Sequence, residues 1–545
     1  MAGRREFDVV VIGAGVTGLN TLNRLRGLGF SVRVFEAGDG VGGTWYWNRY
    51  PGARLDSESY TYVFDFDEGI LQDWNWSQRF AAQPEVESYF NFAADRLNLW
   101  PDIEFNMHVS AATWNDERNY WDVDFEDGSG VRCTFLITAV GYLSAPNWPK
   151  TPGLENYRGE YHHTARWPKH PVEYAGKHVA VIGTGASGVQ VIQTMAPAVA
   201  SMTVYQRTPN WCSPVGDLTL SQGEMDQIKA NYPQLLVHLR STASGFIHSV
   251  DPRSALEVTD EERNAFFSDL WSRPGMAKWM ANFSDIAVNE EANGYWTKFV
   301  EARIRERIND PAVADKLIPT DHGFGQKRPP LELNYYEAYN QPNVELIDIR
   351  DNPIDTFTAD GIRSADGTER AFDLIVFATG FDAITGALVR IDFTGRGGRK
   401  LAEYWSAGPR TNWGMQVAGF PNLFIEVGPH NKGGFCNVPR CSEQNVDFTT
   451  RTLAYLRDNG YDRMETTPEA EDAWIDHVHE GVSRTLLPKA DSYLMGSNIE
   501  GKPRVFMGYI GTLPDVTRRA NELAAAGYPG FVMRKSAADG SANWG

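Results

Sequence analysis

The chain has 545 residues, a formal net charge of −19 and seventeen tryptophans. That length exceeds one simple core and implies two or three domains, while the acidic balance excludes a phosphate backbone as partner, which needs clustered Lys and Arg. No apolar run reaches the length of a membrane span, and residues 1–6, with Asp8 interrupting the apolar run behind them, do not form a secretory signal.

Phe7-Asp-Val-Val-Val-Ile12 is a β-branched run that reads as a buried strand. Gly13-Ala-Gly-Val-Thr-Gly18 follows, then a helical pattern to about Leu28 and a second strand, Ser31 to Glu36. This is the context a dinucleotide fingerprint requires: Gly13 for the turn, Gly15 for close approach of a pyrophosphate, Gly18 for helix–strand packing, Glu36 for a ribose hydroxyl. The charge of Glu36 repels a 2′-phosphate, so the site suits FAD or NAD. Gly42 to Asp56 carries four aromatics, two arginines and paired glycines, which suits a loop laid against a flat ligand, with Trp45 and Trp47 as stacking surfaces. A surface loop with packed aromatics has the same composition. Phe105 to Glu126 alternates like strands, Phe135 to Gly141 is another buried strand, and Asn147 to Pro152 is a connector. Tyr157 to Pro168, with His162 and His163, is either a joint between two nucleotide sites or a loop.

A second unit repeats the first. Lys177 to Ile182 is its strand, Gly183-Thr-Gly-Ala-Ser-Gly188 its turn, and a helix runs to about Met195. The next strand, Met202 to Gln206, ends in Arg207 and Thr208 instead of an acid, which suits the 2′-phosphate of NADPH. Residues 213–320 break the α/β rhythm. Thr259-x-x-Glu262 predicts a capped helix through Trp271, and Phe299, Val300, Ile304 and Ile308 recur at helical spacing up to Pro311. In Gly323 to Pro330, Arg328 precedes a proline and is biased to extended geometry. Lys327 and Arg328 then point to opposite sides, toward a 2′-phosphate and a reacting centre, unless the loop is simply solvated.

Val344 to Asp348 and Phe372 to Asp382 return to strands, the latter similar to the strand ending at Gly141, as if the chain crosses twice between interleaved domains. Phe420 to Asn431 is a strand running into a turn. Lys432 to Asn437 faces either the ligand cavity or solvent, and Gln444 to Leu456 is helical. The tail from Lys535 is expected to be disordered. Cys133, Cys212, Cys436 and Cys441 lack CxxC or metal-ligand spacing, so a reduced, cytoplasmic protein without structural metal is expected. The expected fold is α/β, with two interleaved Rossmann-like dinucleotide-binding domains and a helical insertion. Residues 1–145 and 379–545 form the FAD domain, 146–212 and 325–378 the NADPH domain, and 213–324 the insertion.

These residues resemble the type I Baeyer–Villiger monooxygenases over essentially the whole chain. Tyr157, where that family usually has Phe, with Gly159, His163, Trp167 and Pro168, matches one signature; Gly43, Trp45, Tyr50, Pro51, Gly52 and Asp56 match a second; the Asp373 to Gly380 strand end matches a third. Arg207 to Pro214 is further similar to the branch acting on the cyclopentenylacetyl-CoA intermediate of camphor breakdown. The resemblance implies FAD and NADPH as cofactors, dioxygen as cosubstrate, and a cyclic or bulky ketone converted to an ester or lactone through a peroxide anion on the flavin. It implies that Arg328 stabilises that anion, that Asp56 positions Arg328, and that Lys327 reaches the NADPH phosphate. Cofactor contacts carried over with them are Thr44, Trp45, Tyr46, Trp47, Tyr62 and Val109, and on the second site Thr184, Gly185, Ser187, Gly188, Arg207 and Thr208. Gly433, Gly434, Phe435, Cys436 and Tyr493 are assigned to the substrate pocket, Tyr493 standing where the family usually has Trp. His163 is expected to fix the domain connection and not to bind metal. The implied enzyme is a monomer or homodimer with no nucleic-acid or membrane partner.

Three other readings use the same nucleotide sites. A flavin monooxygenase oxidising nitrogen or sulfur needs no arginine-stabilised anion. A flavin disulfide reductase needs a cysteine pair near the flavin, which the spacing does not suggest. A non-catalytic nucleotide-binding protein needs no dry oxygen site.

Overall fold

The computed structural model describes residues 4–535; the tail residues 536–545, expected to be disordered, lie outside them. Val9, Val10 and Val11 have no exposed surface, and their β-branched run places Arg5–Ile12 within an eight-stranded sheet. Val32–Phe35 and Gly130–Thr138 flank it in parallel, Ile12 standing opposite both Phe35 and Thr138. Tyr120–Phe125 and Val109–Asn115 continue the sheet antiparallel. The C-terminal part of the chain returns to it: Leu423–Ile425 pairs with Gly130–Thr138, and Asp392–Thr394 with Val109–Asn115. On one face Val16–Gly27 packs against the long helix Val438–Asp458.

The second sheet has five parallel strands in the order Val344–Asp348, Ser201–Gln206, His178–Ile182, Leu374–Phe377, Glu160–His163. The histidine-bearing stretch is therefore an edge strand, with His163 opposite Phe377. A small antiparallel sheet, Ile354–Phe357, Gly361–Ser364 and Glu369–Ala371, sits in the same part of the chain.

Helices fill residues 222–317. Asp260–Ser272 begins with the predicted capping box of Thr259 and Glu262. A second box, Ser221 with Glu224, opens Gln222–Ser241, a helix the sequence pattern conceals because Pro233 lies inside it. Thr44–Trp47 is a short helix within the segment read as a loop. No described helix is long and apolar enough to cross a membrane.

One expectation is corrected. Cys436 and Cys441 are bridged, with Cα atoms 6.2 Å apart, so the four cysteines are not all reduced. Their spacing matches no CxxC pattern, but a turn followed directly by the start of a helix brings the two side chains together.

Candidate active site

The two glycine-rich turns are built alike. A Cβ on Gly18 would fall 1.9 Å from the Gly13 carbonyl, and one on Gly188 would fall 2.2 Å from the Gly183 carbonyl, so only glycine lets helix and strand approach this closely. Gly15 and Gly185 begin their helices without a side-chain cap, whereas Thr259, Asn289, Thr467 and Thr512 cap theirs. The first-turn amides are thus left for an anion, the arrangement a pyrophosphate requires. The cradles differ in cover. A Cβ on Gly15 would lie 3.4 Å from Gly43 Cα, while one on Gly185 would meet nothing within 4 Å.

Glu36, at the end of the second strand, accepts the Ala14 amide at 2.7 Å and the Gly38 amide at 2.8 Å. Burial pushes its pKa up, and those two amides and the Trp47 indole pull it partly back. Trp45 Nε1 donates to the Tyr62 hydroxyl at 3.2 Å. Trp47 stacks under the Arg166 guanidinium at 4.4 Å, and Tyr46 under the Lys169 amine at 4.8 Å. Both rings therefore meet the segment that follows His163, two contacts that the sequence did not indicate. The Thr44 carbonyl accepts Asn48 Nδ2 at 2.9 Å, and Val109 is buried at the start of its strand.

The other side of residues 42–56 rests on the second nucleotide helix. The Tyr50 hydroxyl donates to Gln190 Oε1 at 2.9 Å, and the Ser187 hydroxyl also acts on this phenol. A Cβ on Gly52 would lie 2.4 Å from the Gln190 carbonyl. One segment thus roofs the first cradle and docks on the second.

Arg328 pairs with Asp56 at 2.6 Å, each side chain about a quarter exposed, 26% and 29%. Burial opposes the guanidinium charge, but Asp56 and the phenols of Tyr493 and Tyr142 outweigh it and hold the pKa above its ordinary value. The Arg328 carbonyl accepts Asn210 Nδ2 at 3.0 Å. Lys327 pairs instead with Asp321 at 3.1 Å. Arg207 is exposed at its strand end, and the Thr208 carbonyl accepts the Thr184 hydroxyl at 3.4 Å.

Phe435, Cys436 and Tyr493 share an apolar cluster with Tyr142 and Trp279. Gly433 and Gly434 lie in the 3-10 turn Lys432–Phe435, and a Cβ on Gly433 would stand 3.8 Å from the Tyr142 ring. Sequence reasoning missed Tyr142: it follows the Gly141 strand end, but nothing local marks it as a neighbour of Arg328.

His163 is fully buried. Its Nδ1 accepts the Ala165 amide at 3.0 Å, and its Nε2 stands 3.2 Å from the Thr379 hydroxyl, which donates to the Asn147 carbonyl at 2.6 Å. Asn147 and Thr379 lie on the two chain crossings between the sheets, so one imidazole touches both. Burial lowers its pKa to about 4 and keeps it neutral. Trp167 packs 5.3 Å from His162, in the same core cluster as Tyr50, and Pro168 ends the segment. A Cβ on Gly159 would strike the Tyr157 hydroxyl. His162 pairs with Glu160 at 2.7 Å.

Residues 10–234, which include both cradles, match the family model described as pyridine nucleotide-disulphide oxidoreductase. The chain is 43% identical to the 2-oxo-Δ3-4,5,5-trimethylcyclopentenylacetyl-CoA monooxygenase of Pseudomonas putida, over 97% of this chain and 98% of that one. It is 38% identical to a Baeyer–Villiger monooxygenase of Pseudooceanicola batsensis, over 98% of this chain and 97% of that one. The chain belongs to the Baeyer–Villiger monooxygenases. Among solved structures, the crystal structure of OTEMO in complex with FAD and NADP superposes with a TM-score of 0.94 at 42% identity, covering 97% of this chain and 99% of that chain.

Proposed function

We propose that this Baeyer–Villiger monooxygenase uses FAD and NADPH to insert one oxygen atom of dioxygen beside the carbonyl of a cyclic or bulky ketone, giving an ester or lactone. The observation that carries the reading is the Arg328–Asp56 pair, set between two phenols and served by two uncapped dinucleotide helices. Residues 1–145 with 379–545 serve FAD, 146–212 with 325–378 serve NADPH, and 213–324 supply an outer wall.

The residues present fit both cofactors. The open amides after Gly15 suit the FAD pyrophosphate, and Glu36 excludes a 2′-phosphate from that site. Arg207 and Thr208, together with Lys327, would answer the 2′-phosphate of NADPH. Bound FAD supplies the redox chemistry: it accepts hydride and activates oxygen.

The chain's own residues then do three things. Arg328 presents a positive charge that cannot give its proton away, where negative charge develops on the oxidant and on the ketone oxygen. Asp56 holds that guanidinium in one orientation. Tyr142, Tyr493 and Phe435 keep water from the reacting atoms. His163 ties the two crossings so that the NADPH half moves as a unit against the FAD half.

The test is an assay of NADPH consumption with a cyclic ketone and, separately, a thioether, with products identified. Ketone-dependent consumption with one ester or lactone formed is expected. Sulfoxide from the thioether with no ester from any ketone overturns the reading in favour of a sulfur- or nitrogen-oxidising flavin monooxygenase.

A further inference from the structure

The Cys436–Cys441 bridge stands at the wall of the proposed ketone site. Cys436 follows the turn Lys432–Phe435, and Cys441 lies near the start of Val438–Asp458. Both belong to the cluster of Phe435 and Phe506, against which Tyr142, Tyr493 and Trp279 pack, and Tyr142 and Tyr493 are the phenols that act electrostatically on Arg328.

The residues enclosed by the bridge are anchors. Asn437 Nδ2 donates to the Thr61 hydroxyl at 2.9 Å. Arg440 donates to the Val63 carbonyl and pairs with the Asp65 carboxylate. These contacts hold both sides of Tyr62, the partner of Trp45. The bridged turn is thus tied to the segment around Tyr62 that holds Trp45. The remaining cysteines have no such placement: Cys133 and Cys212 are free, buried and outside this cluster.

We propose that Cys436 and Cys441 form a reversible redox site that sets the tightness of the ketone pocket. Bridged, the pair staples the Lys432–Phe435 turn to the helix; reduced, it releases the turn. The catalytic readout and the source of the oxidant rest on the monooxygenase reading; the thiol count and the cleavage pattern do not. The oxidant is hydrogen peroxide, the product of a turnover that spends NADPH and oxygen without ketone. One thiolate attacks the peroxide: an S–O bond forms, the O–O bond breaks, and the departing hydroxide takes a proton to become water. The second sulfur then attacks the sulfenic sulfur, forming S–S and releasing the second water. Two electrons pass from the thiols to the peroxide. A small dithiol reverses the step by exchange. Cys436 and Cys441 are only 8% and 1% exposed, which favours an oxidant made inside the site over one arriving from bulk. Peroxide leakage thus closes the pocket that leaks.

The experiment uses the FAD-loaded enzyme, reduced with dithiothreitol, desalted and treated with one equivalent of hydrogen peroxide. Thiols counted in denaturant are expected to fall from four to two, with Cys436 and Cys441 linked by peptide mass mapping. Trypsin is expected to cut at Arg440 or Lys432 faster in the reduced form. KM for a bulky ketone and peroxide released per NADPH are expected to differ by about threefold or more between the two forms, roughly the effect of one lost neutral hydrogen bond. Cys441→Ala is expected to match the reduced enzyme in cleavage, KM and leakage and to form no intramolecular bridge with peroxide; if that variant does not fold, the wild-type comparison decides alone. An unchanged thiol count, loss at Cys133 or Cys212, or a bridge that leaves cleavage, KM and leakage unchanged overturns the proposal. A bridge that protects against trypsin in an enzyme converting no ketone supports the redox site and sinks the catalytic reading instead.

Discussion

The buried imidazole of His163 makes the fold sensitive to acid where it meets Thr379, and the size of the effect follows from its surroundings. It is uncharged in the fold, with a pKa near 4 against 6.5 for a free imidazole, burial being the main cause. The unfolded chain therefore binds a proton between these values that the folded chain does not. Stability from this group is fully present above pH 6.5 and is lost as pH falls through 4, by about 3 kcal/mol. His163→Asn keeps an acceptor for the Ala165 amide but removes the contact with Thr379 and the ring packing against Trp148, 5.0 Å away. At pH 7 the variant should be less stable by about 2 kcal/mol, from one lost hydrogen bond and a small cavity. Toward pH 4 the gap should close and reverse, because asparagine does not titrate. Urea unfolding of both FAD-loaded proteins across pH 4–7.5 measures this. His430, also held neutral by burial with a pKa of about 3, titrates in both proteins and cancels in the difference. Parallel stability curves would refute the assignment.

Arg328→Ala should still oxidise NADPH but lose ester formation by on the order of a hundredfold to a thousandfold, read by product chromatography; a normal lactone yield sinks the role given to Arg328. Arg207→Ala should raise the KM for NADPH about 10- to 100-fold, the worth of a charged hydrogen bond, and leave NADH nearly unchanged; equal effects on the two remove its phosphate role. Burial raises the Glu426 carboxyl from 4.5 to about 8, so the fold keeps a proton that the unfolded chain gives up, and stability falls as pH rises through this range. Glu426→Gln should remove that slope and stabilise the protein at pH 8.5 by up to about 4 kcal/mol, with no gain near pH 4; thermal melts at the two pH values check it.

Most of the frame was legible because it rests on local pattern. The strands ending at Ile12 and Ile182, the six-residue turns and the Thr259 box each state their geometry within a dozen residues. Lys327 and Arg328 pair with different carboxylates, Asp321 and Asp56, which fits the extended geometry that the proline after Arg328 favours. Long-range contacts were not legible. Tyr50 reaches Gln190 across 140 positions, and Tyr142 acts on Arg328 across a long span of chain. The cysteine pair was misjudged for a different reason. Spacing alone does not show that a turn running into a helix brings residues 436 and 441 together.

Residues 42–56 touch the first cradle through Gly43 and the second helix through Tyr50 and Gly52, so under the proposed cofactor assignment ordering this segment once serves two ligands. Whatever factor of affinity FAD gives NADPH through it, NADPH must return to FAD. A chain stripped of flavin would then hold nicotinamide cofactor poorly although every residue of that second site is intact, because the strut they share has lost one of its two supports.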